Sequence, residues 1–347
     1  MKFKIIMVGC GVMANHWLNS ITPKDDCEII ALADLDIGRA KAAREKYSLE
    51  CRVYSSVDEA LEAESGNLLI DLTYVTMHHD VTIKALRAGY DVIGEKPMAF
   101  EPNQANDMLR AAAETGKRYI VAQNRRYIGQ VEKIRDIVIS KKIGEPVFIC
   151  AEIFVSADMA SIRNQLEYPQ LQDNNIHAFD MARYMANGNP ISAYYHSFNP
   201  KGSKYVGDAA CAAIFEFDNG AVFEFRGYNG AEGCHTTWNN SWRVLCERGT
   251  ILWDGNPEND AFYEYAEQTG VYAYQKETLK KPDVIRDPNA LEVEDFLDAL
   301  STGRTPSTDC KDNIHSIAMV FASVKSIREG RKVAIEVNET YPYIVLN

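Results

Sequence analysis

An α/β architecture in two parts is predicted: an amino-terminal doubly wound parallel sheet, followed by a second α/β domain on a large, mostly antiparallel open sheet. Three observations predict it. Apolar strand segments alternate strictly with helical segments from Phe3 to Ala122. A glycine-rich turn, Gly9-Cys10-Gly11-Val12-Met13-Ala14, sits between the first strand and the first helix. After Gly144 the pattern changes to strands joined by tight turns. At 347 residues the chain exceeds the roughly 250 to 300 that one core serves, so domains are expected at 1–123 and 124–347.

Taken in order, Phe3 to Val8 is a continuous apolar strand running into G-x-G-x-x-A. The first glycine allows the tight turn, and the second lets backbone N–H groups, with Val12 and Met13, approach a pyrophosphate. Small Ala14 permits close helix packing. The strand before it and the helix after it make this a dinucleotide fingerprint of Rossmann type. The next strand, Glu28 to Ala33, ends at Asp34, close to the expected distance of about 20 residues beyond the glycines, where an acid binds both ribose hydroxyls. Asp36 reads instead as the cap of the following helix. Asp34 and Asp36 together would repel a 2′-phosphate, so NAD is expected over NADP.

The alternation continues with a strand at Arg52 to Tyr54, a Ser56-capped helix, an apolar strand Leu68 to Thr73 and a helix from about His78 to Ala88. Thr73 and His78 thereby sit beside the cofactor, although His78 reads equally well as a helix N-terminal residue with no ligand. The strand Asp91-Val92-Ile93 then meets Gly94-Glu95-Lys96-Pro97, where proline cannot continue a sheet ladder. This leaves Glu95 and Lys96 at the carboxyl edge, where ligands of open α/β sheets bind, so both are expected to touch the cofactor. A helix at Asn103 to Thr115 and a strand at Arg118 to Ala122 complete the set.

Beyond the helix Gly129 to Ser140, strands are expected at Val147–Phe154, Ile191–Phe198, Ala209–Phe217, Ala221–Tyr228, Ser241–Glu247 and Thr250–Asp254. Asp218-Asn219-Gly220 and Arg248-Gly249 read as hairpin turns in an antiparallel meander. Asp173 and His177 are four apart and would share one helix face if the helix ending at Asn187-Gly188 begins that early. Histidine is the natural base near neutral pH, and a carboxylate beside it would orient it. An N-cap aspartate with a buried structural histidine is the alternative. Among the aromatic residues of this half, Trp238 and Trp242, in a polar loop, could stack on a sugar face. Two amphipathic helices, Ala290–Leu300 and Ile314–Arg328, and a strand at Lys332–Ile335 cover or extend the sheets.

Composition narrows the function. The chain is 46% hydrophobic and 25% charged, with 37 Lys and Arg against 49 Asp and Glu, a net charge of −12. Without a long basic run, nucleic acid is a poor partner. The apolar run after Lys4 is too short for a signal core, and no stretch has the roughly 20 apolar residues of a membrane span. Eight scattered cysteines without a C-x-x-C pair suit a reduced, cytoplasmic chain and argue against a metal site.

Five segments carry a resemblance to a known family: Gly9 to Ala14, Gly94-Glu95-Lys96-Pro97, Asn124-Arg125-Arg126-Tyr127, Asp173-x-x-x-His177-x-x-Asp180, and Glu294-Asp295-Phe296 with Gly303-Arg304-Thr305-Pro306. In this order and spacing the chain resembles the Gfo/Idh/MocA oxidoreductases over nearly its whole length. The resemblance implies that Lys96 polarises a substrate hydroxyl, His177 takes its proton, and Asp173 orients both. It also implies that Asn124 faces the substrate and that the Lys96-Pro97 bond is cis. Many members carry glycine where this chain has Asn175, so Asn174 and Asn175 are expected to shape the pocket. The expected activity is NAD-dependent oxidation of a secondary hydroxyl on a sugar, cyclitol or glycoside, by a homodimer or homotetramer formed through the open sheet. An NAD-using glycosidase that oxidises its sugar transiently and a non-catalytic dinucleotide sensor are the alternatives.

Overall fold

The computed structural model describes residues 2–156, 165–268, 270, 273–338 and 344–346. The chain divides into two compact units, one of Met1–Asn124, Arg286–Ile314 and Asn338–Ile344, the other of Arg125–Ile285, His315–Val337 and Val345–Asn347.

The first unit opens with β1 (Phe3–Val8), α1 (Val12–Ile21), β2 (Cys27–Ala33), α2 (Ile37–Lys46), β3 (Arg52–Tyr54) and α3 (Val57–Ala63). It continues with β4 (Leu68–Asp71), α4 (Val75–Arg87), β5 (Asp91–Gly94), α5 (Pro102–Thr115) and β6 (Tyr119–Val121). The six strands pair in the order β3-β2-β1-β4-β5-β6, all parallel. That is the doubly wound order, and it reverses between β1 and β4, where such sheets bind ligands. Burial on both faces explains the unbroken apolar runs: every residue of β4 is buried. Local signals set the helix limits. Asp36 caps α2 by accepting from the Gly38 N–H at 3.0 Å, and Ser56 caps α3 by accepting from Glu59 N–H at 3.2 Å. α5 has a capping box between Glu101 and Gln104, proline at its first position and Gly116 at φ +64° as its stop. α4 begins at Val75, three residues before the expected start, so His78 lies inside the helix.

The second unit opens with a 3-10 turn, Asn124–Tyr127, that crosses from the first, and then α6 (Gly129–Ile139), β7 (Pro146–Phe154), α7 (Pro169–Asp173) and α8 (Asn175–Ala186). β8 (Pro190–Phe198), β9 (Ala210–Phe217), β10 (Val222–Tyr228), β11 (Ser241–Cys246), β12 (Gly249–Trp253), β13 (Ala261–Tyr265) and β14 (Gln275–Leu279) follow. The chain then runs through α9 (Pro288–Thr302), α10 (Cys310–Glu329), β15 (Val333–Val337) and β16 (Ile344–Leu346). α9 belongs to the first unit, where Val293, Phe296 and Leu297 join the core around Ala14, Trp17 and Leu18 of α1.

The ten-stranded sheet has the order β14-β13-β12-β11-β7-β10-β9-β8-β15-β16. It is not a pure meander, because β7 lies between β10 and β11 and runs parallel to β10. The hairpin turn expected at Arg248-Gly249 is formed instead by Glu247-Arg248, since Gly249 already pairs with Cys246. Glycine is required there by close approach: a Cβ would lie 2.7 Å from the Glu264 carbonyl oxygen. One face of the sheet packs on α8, where Phe179 meets Phe215, Phe223 and Phe225 with ring centroids 4.7, 6.3 and 5.6 Å away. Each such fully buried ring contributes about 1.5 to 3 kcal/mol.

Candidate active site

In the first unit the glycine turn is shaped for a dinucleotide. Gly9 has φ +90°, and a Cβ on it would lie 2.6 Å from the Leu72 carbonyl oxygen, so no other residue fits. Gly11 caps α1 with no side-chain hydrogen bond, and a Cβ on it would meet nothing within 4 Å. The N–H groups of Val12 and Met13 therefore open an uncapped helix N-terminus beside open space, which suits a pyrophosphate. Val12 is 78% exposed, as a residue left for a ligand to cover would be. The thiol between the two glycines is inert: burial, with Asp34 adding to it, pushes Cys10 up to about 12.

Asp34 stands at the end of β2, with one oxygen accepting from the Cys10 N–H at 2.7 Å and the other from the Asp36 N–H at 2.8 Å. These bonds aim the carboxylate while leaving lone pairs for ribose hydroxyls. The nearest following arginine, Arg39, pairs with Asp36 at 3.5 Å. The residues present thus fit NAD, whose nicotinamide supplies a hydride acceptor when bound.

Lys96 follows β5 at the carboxyl edge of the same sheet, and the Lys96-Pro97 bond is cis. Glu95, expected to touch the cofactor, is 8% exposed. Its carboxylate accepts from Trp17 Nε1 of α1 at 2.9 Å and from the Lys96 N–H at 3.2 Å. It ties α1 to the Lys96 loop. His78 is likewise turned inward, 1% exposed, with Nδ1 2.9 Å from the Pro97 carbonyl oxygen and Nε2 3.0 Å from that of Thr73. Both ring nitrogens are thus engaged by protein. Thr73 donates its N–H and hydroxyl to Asp71 Oδ1 at 3.0 and 2.6 Å. Asn124 donates its amide to Asn289 Oδ1 at 2.9 Å, while its own Oδ1 is buried with no partner among the described residues. A buried orphan acceptor suits a ligand hydroxyl. Asn289 gave no signal in the sequence.

In the second unit Asp173 and His177 do not share one helix. Asp173 ends α7 and His177 is the third residue of α8, with Asn174 as the one-residue break between them. Asn174 keeps near-helical angles, φ −106° and ψ −34°, and its carbonyl accepts from the His177 N–H at 3.2 Å. Asp173 is therefore a helix end, not an N-cap. The two asparagines part company. Asn174 accepts from Arg125 Nη2 at 3.5 Å, whereas Asn175 is fully buried and donates to the Tyr195 hydroxyl at 2.8 Å, so it holds α8 on the sheet.

Arg125 belongs to the Asn124-Arg125-Arg126-Tyr127 motif, and its place in the sequence alone assigns it no role. Burial pulls its guanidinium down to about 10, with Asp173 opposing, so it stays cationic at neutral pH. Its Nη1 is buried with no partner among the described residues. The turn that carries it is anchored by the neighbouring Arg126, which makes a two-pronged bond to Asp180 at 2.7 and 2.6 Å. Of the two tryptophans considered for sugar stacking, Trp242 is 2% exposed and stacks on Phe223 in the core, and Trp238 alone is open at 49%. No group of three or more His, Cys, Asp or Glu capable of holding a metal occurs among the described residues.

Residues 3–123 match the family model for the NAD-binding Rossmann fold of an oxidoreductase family, and residues 137–335 match that family's C-terminal alpha/beta domain. The chain is similar to inositol 2-dehydrogenase of Rhizobium meliloti strain 1021, 22% identical over 352 residues, 96% of this chain and 100% of that one. It is also similar to inositol 2-dehydrogenase of Salmonella typhimurium strain LT2, 26% identical over 190 residues, 54% of this chain and 55% of that one. An oxidoreductase from Agrobacterium radiobacter, solved in complex with NAD+, L-tartaric acid and magnesium, has the same fold. Its TM-score is 0.85 at 20% identity, covering 96% of this chain and 98% of that one. Both halves match, so the chain belongs to the Gfo/Idh/MocA family and is an NAD-binding oxidoreductase.

Proposed function

We propose that this chain is an NAD-dependent dehydrogenase that oxidises a secondary hydroxyl of a sugar, cyclitol or glycoside. The observation that carries the proposal is Lys96, a cation at the carboxyl edge of the parallel sheet whose backbone is anchored to α1 through Glu95 and Trp17. Hydride can leave a carbon only as the proton leaves its oxygen. In this reading Lys96 stabilises the developing alkoxide, His177 accepts the proton, and Asp173 orients the histidine and the substrate. Asn124 and Asn174 bind substrate hydroxyls, an assignment supported by the orphan Oδ1 of Asn124. Gly9, Gly11, Val12, Met13, Asp34 and Thr73 serve the cofactor. Polyols are what the similar inositol dehydrogenases are named for, and that supports the substrate class.

The test is to mix enzyme, NAD and a panel of cyclitols, aldoses and glycosides and follow NADH in solution. Accumulation with at least one polyol is expected. If NAD binds but no substrate yields NADH, the proposal fails. Glycoside cleavage without net NADH would point to a glycosidase that uses NAD transiently.

A further inference from the structure

We infer that His78 is a positioning residue that clips the Thr73 loop to the Lys96-Pro97 loop by donating a hydrogen bond from each ring nitrogen. Its ring bridges two carbonyl oxygens, Thr73 O at 3.0 Å from Nε2 and Pro97 O at 2.9 Å from Nδ1. Carbonyls only accept, and a neutral imidazole has a single N–H. One nitrogen lone pair of a neutral ring would therefore face a carbonyl lone pair inside a site 1% exposed, whereas the doubly protonated ring satisfies both.

A buried carboxyl group lies on the neighbouring strand. Asp71 at the end of β4 is fully buried, and its Oδ1 accepts both bonds from Thr73, the residue whose carbonyl the ring holds. Burial, the largest influence, raises the Asp71 carboxyl, and His78 and the two bonds from Thr73 oppose that shift. Other charged and titratable groups lie nearby, the first being Lys96 itself, next to Pro97. Glu95 after β5 serves Trp17 and the Lys96 N–H, and His79 on the next position of α4 faces Asp80 and Asp107. From β6, Tyr119 presents a buried hydroxyl held protonated by burial, with Asp71 adding to the effect.

The clip joins the two functions of the first unit. On one side, the Leu72 carbonyl just before Thr73 lies against the glycine turn, where a Cβ on Gly9 would meet it at 2.6 Å. On the other, Pro97 follows Lys96 directly, and the Glu95 N–H donates to the Asp71 carbonyl at 2.9 Å. The backbone on both sides of Lys96 is thus tied, through Asp71 and His78, to the β4–α4 segment that carries Thr73. Displacing a catalytic group by about 1 Å can lower a rate about a hundredfold.

Nitrogen NMR of the intact protein tests the clip directly, with the His78 signals among the seven histidines assigned through contacts to Thr73 and Pro97. Protons bound to both ring nitrogens at neutral pH are expected; a single neutral tautomer overturns the inference. The kinetic arm rests on the proposed dehydrogenase activity. With His78→Leu, kcat at saturating NAD and polyol should fall about a hundredfold while NAD affinity holds. Weakened NAD binding with kcat retained would make His78 a cofactor ligand, and loss of thermal stability alone would make it merely structural; either result sinks the clip. If the variant does not fold, or if wild type oxidises no polyol, the NMR result on wild type still decides.

Discussion

Cofactor choice is expected to turn on Asp34. Its two oxygens are held by the N–H groups of Cys10 and Asp36, so the carboxylate cannot swing away from an incoming 2′-phosphate. Arg39, the cation that could compensate, is engaged by Asp36. NAD should therefore exceed NADP in kcat/KM, and Asp34→Ser should narrow the gap, measured as the ratio of the two constants. Comparable constants in wild type would refute this. On the proposed mechanism, substitutions at Lys96 and His177 should separate binding from chemistry. His177→Ala should cut kcat by roughly a hundred- to ten-thousandfold, the range of general base catalysis, and Lys96→Met should abolish turnover. NAD titrations of both variants should match wild type. Wild-type turnover in His177→Ala would reduce that histidine to a structural role. Residue identity and spacing were enough to single out these positions, because turn geometry and proton chemistry are local. The inward turn of Asn175 was not legible, since its partner Tyr195 is set by how α8 lies on the sheet.

The 3-10 turn and α8 owe their junction to one buried ion pair. Arg126 and Asp180 have side chains only 4% and 2% exposed, and Asp180 also accepts from the Ser316 hydroxyl of α10 at 2.7 Å. Removing the cation alone strands a buried carboxylate, a change that costs about 3 to 5 kcal/mol. Arg126→Met should lower the unfolding free energy by that amount in a denaturant titration, and should impair turnover because the turn carries Asn124. A loss below about 1 kcal/mol, the worth of an exposed pair, would show that the pair is not buried in solution. Elements with strong local signals were legible: β1 matches its expected span, and α3 starts at its Ser56 cap. β14 was not, because Gln275–Leu279 has no buried residue and so no period of two to read. β13 was missed as well, although Ala261 and Tyr263 alternate, because two residues in register are too few to separate from a loop. The break at Asn174 has no glycine or proline to announce it.

For the molecule as a whole, the large sheet poses the problem of its open face. Pairing of β7 with β10 brings together strands that are separated, among the described residues, by two helices and two strands, which no local pattern encodes. Its consequence is a broad surface. Opposite the buried phenylalanines, Tyr194 of β8 pairs with Ile214 of β9, and Ile214 with Glu224 of β10. Tyr194, Ile214 and Phe198 are 42%, 47% and 44% exposed, and Arg226 crosses the same face to Glu152 and Glu224 at 3.1 and 3.4 Å. An apolar centre rimmed by paired charges is the composition of an interface, and a surface that must fit its own copy closes by twofold symmetry. A homodimer or homotetramer is expected in light scattering at micromolar concentration. Ile214→Asp would bury an unpaired charge in every copy of that contact, so it should shift the protein toward monomer. Because the substituted side chain lies on the face away from Phe215, the monomer should keep its fold and its NAD affinity. A wild-type monomer, or an Ile214→Asp variant that assembles as wild type does, would rule this face out.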